Sequence, residues 1–445
     1  MNNEAIYDAK QLGVPKMLIL GIQHMFAMFG ATILVPAITG LSVSATLLFA
    51  GLGTLLFHLI TGRKVPAFLG SSFAFLGAYG LVTAAGADIP LQYSSFGVAC
   101  AGLLYLVLAL LFKVFGAAKV MRFFPPIVTG PVIIAIGLTL SQSALDNCSV
   151  NWLVAIVAII VVIVFNIWGK GMLKIIPILL GVVASYLFSL IVDPASRAAV
   201  VTSVSEAAWI GLPFKWGDTA FSIFGANLDT SMLLSTVITI MPIALATMVE
   251  HIGDICAISS TVGENFIEEP GLHRTLMGDG FATALASLFG APANTTYGEN
   301  TGVLALTKVY DPAVIRLAAI FAILASFCPK FSALVSAMPV GTIGGVSLIL
   351  YGMISAIGVR NLVENKVDLS ASRNVIIASL IMSLALGITF SAAGAIKVTL
   401  GTITLSFSGL AVAAVVGIVV NAILPGKDYV FSNEYSSGKP RSKKN

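Results

Sequence analysis

The stretch PAFLGSSFAFLG at residues 66–77 and the stretch ANTTYGENTG at residues 293–302 decide how this chain folds. Each interrupts a long apolar region, and each is too rich in Gly, Ser and Thr for a plain lipid-facing helix. Irregular backbone survives at membrane depth only where it is buried in protein or lines a cavity. Both stretches are therefore predicted to be broken membrane spans that face a shared pocket. Small-residue packing between intact helices is the alternative.

The rest of the sequence has the composition of a membrane protein. Charged residues make up 10% of the 445 residues, against about a quarter in ordinary soluble domains, and apolar residues make up 58%. The mean hydropathy is +0.99. The four cysteines lie in or beside apolar stretches and form no CxxC pair. They are predicted to be buried hydrophobes, not disulfides or metal ligands.

A helix needs about 20 apolar residues to cross a bilayer. Runs of this kind occur seven times on each side of a polar stretch at residues 193–231. They cover residues 17–38, 43–61, 66–86, 95–112, 124–144, 151–168, 174–192, 232–258, 276–292, 294–307, 312–328, 333–356, 373–392 and 397–424. Because seven is odd, a repeated second half must cross the membrane upside down, as in secondary transporters that bind substrate near the midplane. The two broken spans are the third of each half.

The basic residues support this count. With the amino terminus in the cytoplasm, all but four of the 24 Lys and Arg fall in cytoplasmic segments. They are dispersed among short connections, so the net charge of +4 does not indicate nucleic-acid binding. The predicted fold is an all-α integral membrane protein with about 14 transmembrane helices in two inverted seven-helix repeats. Broken helices and short extended segments are expected at spans 3 and 10.

This prediction divides the chain into five parts. They are a cytoplasmic amino-terminal segment (1–15), the first repeat (16–192), an extracytoplasmic loop (193–231), the second repeat (232–424) and a cytoplasmic tail (425–445).

Ionisable residues within membrane spans are rare and usually functional. Glu250 and Asp254 are four residues apart and share one helix face. Two carboxyls this close in a low dielectric resist simultaneous ionisation, which suits them to take up and release a proton. Glu299 lies in the second broken stretch, where flanking glycines let a ligand approach the backbone.

Simpler roles are expected for three other residues in or beside the spans. Asp279, near Arg274, is expected to anchor or cap a helix at the membrane edge, His58 to be interfacial, and His251 to be packed. The chain has no GxSxG, HExxH or Walker A motif and no cluster of His and Cys ligands. It is therefore predicted to be a transporter and not an enzyme, with no cofactor and no metal.

At these residues the chain resembles the nucleobase–ascorbate transporter (nucleobase:cation symporter) family, and within it the bacterial uracil permeases. The similarity covers essentially the whole membrane region and is densest at residues 23–32, 70–75, 250–253 and 294–300. The family signature is an acid or amide, then Asn-x-Gly, four residues, Thr and a basic residue. Its positions are met by Glu299, Asn300, Gly302, Thr307 and Lys308.

The resemblance implies a core domain of spans 1–4 and 8–11 and a gate domain of spans 5–7 and 12–14. It places the base against Phe73, Glu250, Gly298 and Glu299, with carboxyl oxygens accepting from the base and backbone amides donating to it. Glu250, Asp254 and Glu299 are the candidates for proton coupling. Further candidates for lining the pocket are Ser72, Tyr297, Asn300, His24 and Tyr351.

The expected function is uptake of uracil with H⁺ by alternating access, across a bacterial cytoplasmic membrane and with both termini inside. Purine-transporting relatives tend to carry Gln at the position of Glu299, which favours uracil. Some uracil permeases carry His at the position of Asp254, so a xanthine or uric acid permease stays open. An anion exchanger of similar inverted-repeat layout and a channel are alternatives from other classes. Coupling to Na⁺ and assembly into a homodimer also stay open.

Overall fold

The computed structural model describes residues 5–77, 79, 90–224, 228–400 and 403–426, and long apolar helices dominate it. The helices are α1 (Val14–Thr39), α2 (Val43–Ile60), α3 (Leu91–Phe115), α4 (Pro126–Val150), α5 (Trp152–Trp168), α6 (Pro177–Val192), α7 (Pro194–Glu206), α8 (Thr230–Ile240), α9 (Ala244–Val262), α10 (Leu272–Leu288), α11 (Gly298–Thr307), α12 (Pro312–Ser326), α13 (Pro329–Ser336), α14 (Val340–Glu364), α15 (Ser372–Thr389) and α16 (Gly409–Ile423). The strands are β1 (Leu69–Ser71), β2 (Asn294–Thr296), β3 (Ala395–Leu400) and β4 (Ile403–Ser408). Shorter helical turns occupy Ala9–Leu12, Ala117–Val120, Met121–Phe123, Met172–Ile175, Trp216–Asp218, Ala220–Ile223, Met241–Ile243 and Ile267–Gly271.

Seven helices of the described chain are long and apolar enough to cross a membrane, with α8 and α9 counted as one. The number rises to nine if α6 with α7, bent by 113°, and α12 with α13, bent by 88°, each form one span. Helices α5 and α16 are apolar but shorter. The chain is therefore a multi-pass membrane protein, and the count of fourteen spans stays a prediction.

Two predicted spans differ from the structure. The run 397–424 is predicted to be one helix, but its residues 397–400 and 403–408 belong to the β3–β4 hairpin, paired from Ala395↔Ser408 to Leu400↔Ile403. Apolar and polar residues alternate along this hairpin, a period that suits a strand and not a helix. In the run 333–356 the long helix begins only at Val340, because Pro339 separates it from α13. It then continues beyond the predicted end, to Glu364. Residues 78 and 80–86 of the third run lie outside the described residues.

The most extensive helix contacts fall into two groups. In the first, α10 packs on α2 and α3, and α12 packs on α1 and α2. In the second, α14 packs on α4 and α5, α5 on α6, and α15 on α4 and α16. Close backbone approach holds α4 against α14, where a Cβ on Gly137 would lie 2.2 Å from the Tyr351 carbonyl oxygen.

The two broken stretches meet each other as short extended segments. β1 and β2 pair antiparallel, with Leu69 opposite Thr296, Gly70 opposite Thr295 and Ser71 opposite Asn294. All of these residues are buried. The predicted extended segments of spans 3 and 10 are thus confirmed, and their pairing supplies backbone partners that the bilayer cannot.

Candidate substrate site

Side chains from neighbouring helices hold the β1–β2 pair in place. The Leu69 amide donates to Thr54 Oγ1 of α2 at 2.9 Å. On the other strand, Asn294 Nδ2 donates to the Phe49 carbonyl oxygen of α2 at 2.9 Å. Thr283 Oγ1 of α10 donates to the Asn294 carbonyl oxygen at 2.7 Å. Residues that follow either strand are therefore positioned by a rigid support.

Tyr297, the residue after β2, packs against β1 and α1. Its hydroxyl donates to the Ser71 carbonyl oxygen at 2.9 Å and lies 3.3 Å from Thr32 Oγ1. The ring fits because residue 70 is glycine, since a Cβ there would lie 2.5 Å from two ring carbons. This buried placement matches a packing role for Tyr297.

Gly298 and Glu299 begin α11 and line a cavity of about 230 Å³, here named the Glu299 cavity. Because they occupy the first turn, the backbone N–H groups here have no carbonyl partner within the helix. Other lining residues come from α1, α5, α14 and the start of α6. They include Ala27, Asn166, Lys174, Pro177, Leu350 and Ile354.

Glu250 and Asp254 lie on α9, which contacts both β2 and α11. Asp254 Oδ2 accepts a hydrogen bond of 2.9 Å from Thr296 Oγ1. Glu250 Oε2 is buried and has no hydrogen-bond partner among the described residues. Leaving a buried polar atom unpaired costs about 1–3 kcal/mol, so Glu250 is a candidate acceptor for a ligand N–H group.

Asp279 and His251 form a buried pair behind this site. Both side chains are fully buried, and His251 Nδ1 lies 3.3 Å from Asp279 Oδ2. The same ring nitrogen lies 3.5 Å from Thr296 Oγ1. The expectation that Asp279 anchors a helix at the membrane edge is therefore wrong. The short sequence distance from Asp279 to Arg274 does not determine which face of α10 carries Asp279.

The expected interfacial position of His58 is also wrong. Its side chain is buried, and Nε2 lies 2.8 Å from the Ala67 carbonyl oxygen, just before β1. His58 thus supports the broken span.

His24 and Asn300 connect α1 to the first turn of α11. Asn300 Nδ2 donates to the His24 carbonyl oxygen at 3.1 Å and lies 3.2 Å from His24 Nδ1. Both side chains are buried. His24 Nε2 and Asn300 Oδ1 have no hydrogen-bond partner within the described chain, so each retains capacity for a further contact.

Phe73 and Tyr351 form an aromatic contact between the first broken span and α14. Their ring centroids are 5.7 Å apart in an edge-to-face arrangement. Ser72, which precedes Phe73, is buried, and its amide donates to the Ala293 carbonyl oxygen at 2.8 Å. The ring contact therefore joins the end of the first broken span to α14.

A second cavity of about 240 Å³ is here named the Ala74 cavity. Ala74, which follows Phe73, lines this cavity, whereas Leu350, which precedes Tyr351, lines the Glu299 cavity. Helices of both groups line the Glu299 cavity, whereas the Ala74 cavity is lined by the first broken span together with α4, α15 and α16. The Ala74 cavity includes Ile136, Thr139, Ile243, Thr389 and Ser408.

Paired broken spans, buried carboxyls and a cavity lined by both helix groups are features of a membrane transport protein. The chain belongs to a permease family, because the model described as "Permease family" matches residues 15–394. The family predicted from the sequence is confirmed by this match and by the relatives that follow.

Similar curated proteins cover nearly the whole chain. The uracil permease of Bacillus caldolyticus is 40% identical over 448 residues, covering 99% of each chain. The uracil permease of Bacillus subtilis (strain 168) is 41% identical over 417 residues, covering 91% of each. The putative pyrimidine permease RutG of Escherichia coli (strain K12) is 36% identical over 428 residues, covering 94% of this chain and 91% of that protein.

Solved structures of transporters share the fold. The transmembrane domain of the cyanobacterial bicarbonate transporter BicA matches with a TM-score of 0.57 and 13% identity, covering 94% of this chain and 98% of that one. The murine Solute Carrier 26 family member A9 anion transporter, in the inward-facing state, matches with a TM-score of 0.62 and 10% identity. That match covers 92% of this chain and 68% of the other. At this identity the likeness shows the fold alone.

Proposed function

We propose that the chain is a proton-coupled uracil permease whose substrate site lies between Glu250 and Glu299. The observation that carries the proposal is the pairing of an unpartnered buried oxygen on Glu250 with a cavity lined by Glu299 and Gly298. The similarity to curated uracil permeases over nearly the full chain supports the choice of base.

The chemistry of the site complements uracil. The base offers N–H donors at N1 and N3 and carbonyl acceptors at C2 and C4. Carboxyl oxygens of Glu250 and Glu299 can accept from the N–H groups, and first-turn amides at Gly298 can donate to a carbonyl. Phe73, held against Tyr351, supplies an apolar ring edge for the base. An analogue that leaves one of these groups unpaired would lose about 1–3 kcal/mol of binding.

Three carboxyls are proposed to couple a proton to the base. Glu250, Asp254 and Glu299 are carried by two packed helices, α9 and α11. Among the described residues, no Lys or Arg lies within 4 Å of any of them. Adjacent carboxyls without a cation resist joint ionisation. Protonation of one of them would therefore accompany binding and be reversed on release.

Movement of the two helix groups against each other is proposed to expose the site to one side at a time. We assign α1–α3 and α8–α12 to the core and α4–α6 and α14–α16 to the gate, as the family resemblance implies. The Glu299 and Ala74 cavities would be the two access routes. The Phe73–Tyr351 contact, whose residues are sequence neighbours of Ala74 and Leu350, would be the barrier between them. The distribution of basic residues supports cytoplasmic termini. Lys174 is one of the basic residues assigned to the cytoplasmic side and lines the Glu299 cavity, so we propose that this cavity opens to the cytoplasm.

Uptake of radiolabelled uracil into proteoliposomes, with and without an inward proton gradient, tests this function. Glu299→Gln and Glu250→Ala should each abolish gradient-driven uptake. Glu264→Gln, which removes an exposed acid beyond the end of α9, is the matched control and should transport normally. Unlabelled uracil, thymine and xanthine serve as competitors.

The outcomes separate the parts of the proposal. Uptake indifferent to the gradient would refute proton coupling, and wild-type uptake by either site variant would refute the site. Stronger competition by xanthine than by unlabelled uracil would show a purine permease, the alternative that Asp254 leaves open.

A further inference from the structure

The amino-terminal residues 5–12, here named the strap, lie against the ends of two helices that carry the proposed site. The Ile6 amide donates to the Lys308 carbonyl oxygen at 2.8 Å, and the Tyr310 amide donates to the Ile6 carbonyl oxygen at 2.8 Å. Ile6 thereby forms a parallel bridge to Val309. This backbone pairing fastens the strap to the segment immediately after α11.

Tyr7 extends the attachment to α9. Its hydroxyl donates to the carbonyl oxygen of Val262, the last residue of α9, at 2.8 Å. The last four carbonyls of a helix have no partner within it, so the tyrosine satisfies one of them. The Tyr7 ring also lies 5.5 Å from the ring of Tyr310, measured between centroids. One side chain thus links the end of α9 to the segment after α11.

A third attachment joins the strap to α12. The Ala9 amide donates to Asp311 Oδ2 at 2.8 Å, while Asp311 Oδ1 accepts from the Ala313 amide at the start of α12. Ala9 is completely buried and packs in an apolar cluster with Val309 and Val314. The strap is therefore a packed part of the fold.

The position of α11 depends on how its two ends are held. It has only ten residues, and a helix this short is marginal without outside contacts. Glu299 lies in its first turn, which follows β2 directly, and the strap holds the segment that follows its last turn. Helix α9 carries Glu250 and ends at the residue that Tyr7 contacts.

We propose that the strap is a positioning element that fixes the ends of α9 and α11 relative to each other and thereby sets the spacing of Glu250 and Glu299. Tyr7 and Ile6 are its positioning residues. The expected effect on uracil uptake rests on the proposed function. The expected effect on hydrogen exchange at the two helix ends does not.

Two variants and one matched control test the proposal in the full-length protein. Tyr7→Phe removes the hydroxyl that reaches Val262 and keeps the ring. Ile6→Pro removes the N–H that pairs with Lys308. Tyr310→Phe is the control, because it removes a hydroxyl from the same ring pair that makes no hydrogen bond to the described chain. Hydrogen exchange of purified protein and the KM and Vmax of uracil uptake are measured for each.

Loss of one such hydrogen bond corresponds to about a tenfold change in the equilibrium constant for local opening or for binding. Amides at 303–308 should therefore exchange about tenfold faster in Ile6→Pro, and those at 259–264 about tenfold faster in Tyr7→Phe. The KM for uracil should rise about three- to tenfold in both variants, with Vmax changed less than about twofold. The Tyr310→Phe control should match wild type in every measurement.

Each other outcome is informative. Unchanged exchange in both variants would show that the strap holds neither helix end, whatever the substrate. Faster exchange with an unchanged KM would show a purely structural role and overturn the proposal. If wild type took up no uracil, the proposed function would fail, while hydrogen exchange would still decide whether the strap holds the helix ends.

Discussion

Replacing Gly70 with alanine perturbs the point where the two broken spans are closest. A Cβ at this position would lie 2.5 Å from Cε2 and Cζ of Tyr297 and 2.8 Å from Thr32 Oγ1. Cβ atoms essentially never approach other heavy atoms below 3.0 Å, so the tyrosine ring or the strand must move. Movement of the ring would disturb its 2.9 Å hydrogen bond to the Ser71 carbonyl oxygen.

The expected cost combines two terms. Overpacking a well-filled site costs about 1–3 kcal/mol, and a weakened buried hydrogen bond adds about 1 kcal/mol. Gly70→Ala should thus destabilise the protein by about 2–4 kcal/mol. Because Tyr297 directly precedes Gly298 and Glu299, the variant should also bind uracil less tightly.

The assay is thermal unfolding in detergent, combined with uracil binding. Gly352→Ala is the matched control, since a Cβ at this exposed position of α14 meets nothing within 4 Å. It should leave stability unchanged or raise it by about 0.5–1 kcal/mol, as alanine favours a helix over glycine.

A double-mutant cycle identifies the cause of the loss. In a Tyr297→Ala background the ring is gone, so Gly70→Ala should cost at least about 1 kcal/mol less than in wild type. Equal costs in the two backgrounds would refute the argument that Gly70 is required by the tyrosine ring. A Gly70→Ala protein as stable as wild type would refute the packing itself.

Two further substitutions test individual contacts. Thr296→Val removes the 2.9 Å donor to Asp254 and should lower stability by about 1–2 kcal/mol, whereas Thr296→Ser should retain it, which thermal unfolding can check. At the surface, Lys64 donates to Glu269, and this hydrogen bond and charge lower the pKa of Glu269 below its ordinary value of 4.5. Its contribution is therefore present above pH 4.5 and lost as the pH falls further. Glu269→Gln should lower the unfolding temperature only slightly at pH 7, because both side chains are solvent-exposed. At low pH or in 1 M salt the variant and the wild type should unfold at the same temperature.

Hydropathy located most of the helices because the bilayer imposes a length and a composition on every span. The same constraint made the exceptions visible: stretches 66–77 and 293–302 are polar where lipid-facing residues would be apolar. Their pairing register could not be predicted, since it depends on contacts such as Asn294 with α2 that are remote in sequence.

Prediction from hydropathy fails where the local period of apolar residues, or the packing of a helix face, decides the structure. Residues 397–408 are hydrophobic enough to count as part of a helix, although Val398, Leu405 and Phe407 alternate with polar residues in a strand pattern. Asp279 was assigned by its distance along the chain from a basic residue. Its burial against His251 depends on how α10 packs beside α9, which composition does not specify.

The spacing within the family signature has a physical explanation in α11. Glu299 and Asn300 occupy the first turn, beside the cavity and His24, respectively. Seven residues after Asn300, Thr307 ends the helix and donates through Oγ1 to the Val303 carbonyl oxygen at 2.9 Å. Lys308 follows with φ of 55°, a left-handed conformation that stops a helix, and its amide closes the last turn on Leu304. The signature thus specifies a half-helix of fixed length, with the proposed substrate site at one end and the strap attached just beyond the other. An insertion or deletion between Asn300 and Thr307 would therefore shift one end relative to the other by about 1.5 Å per residue.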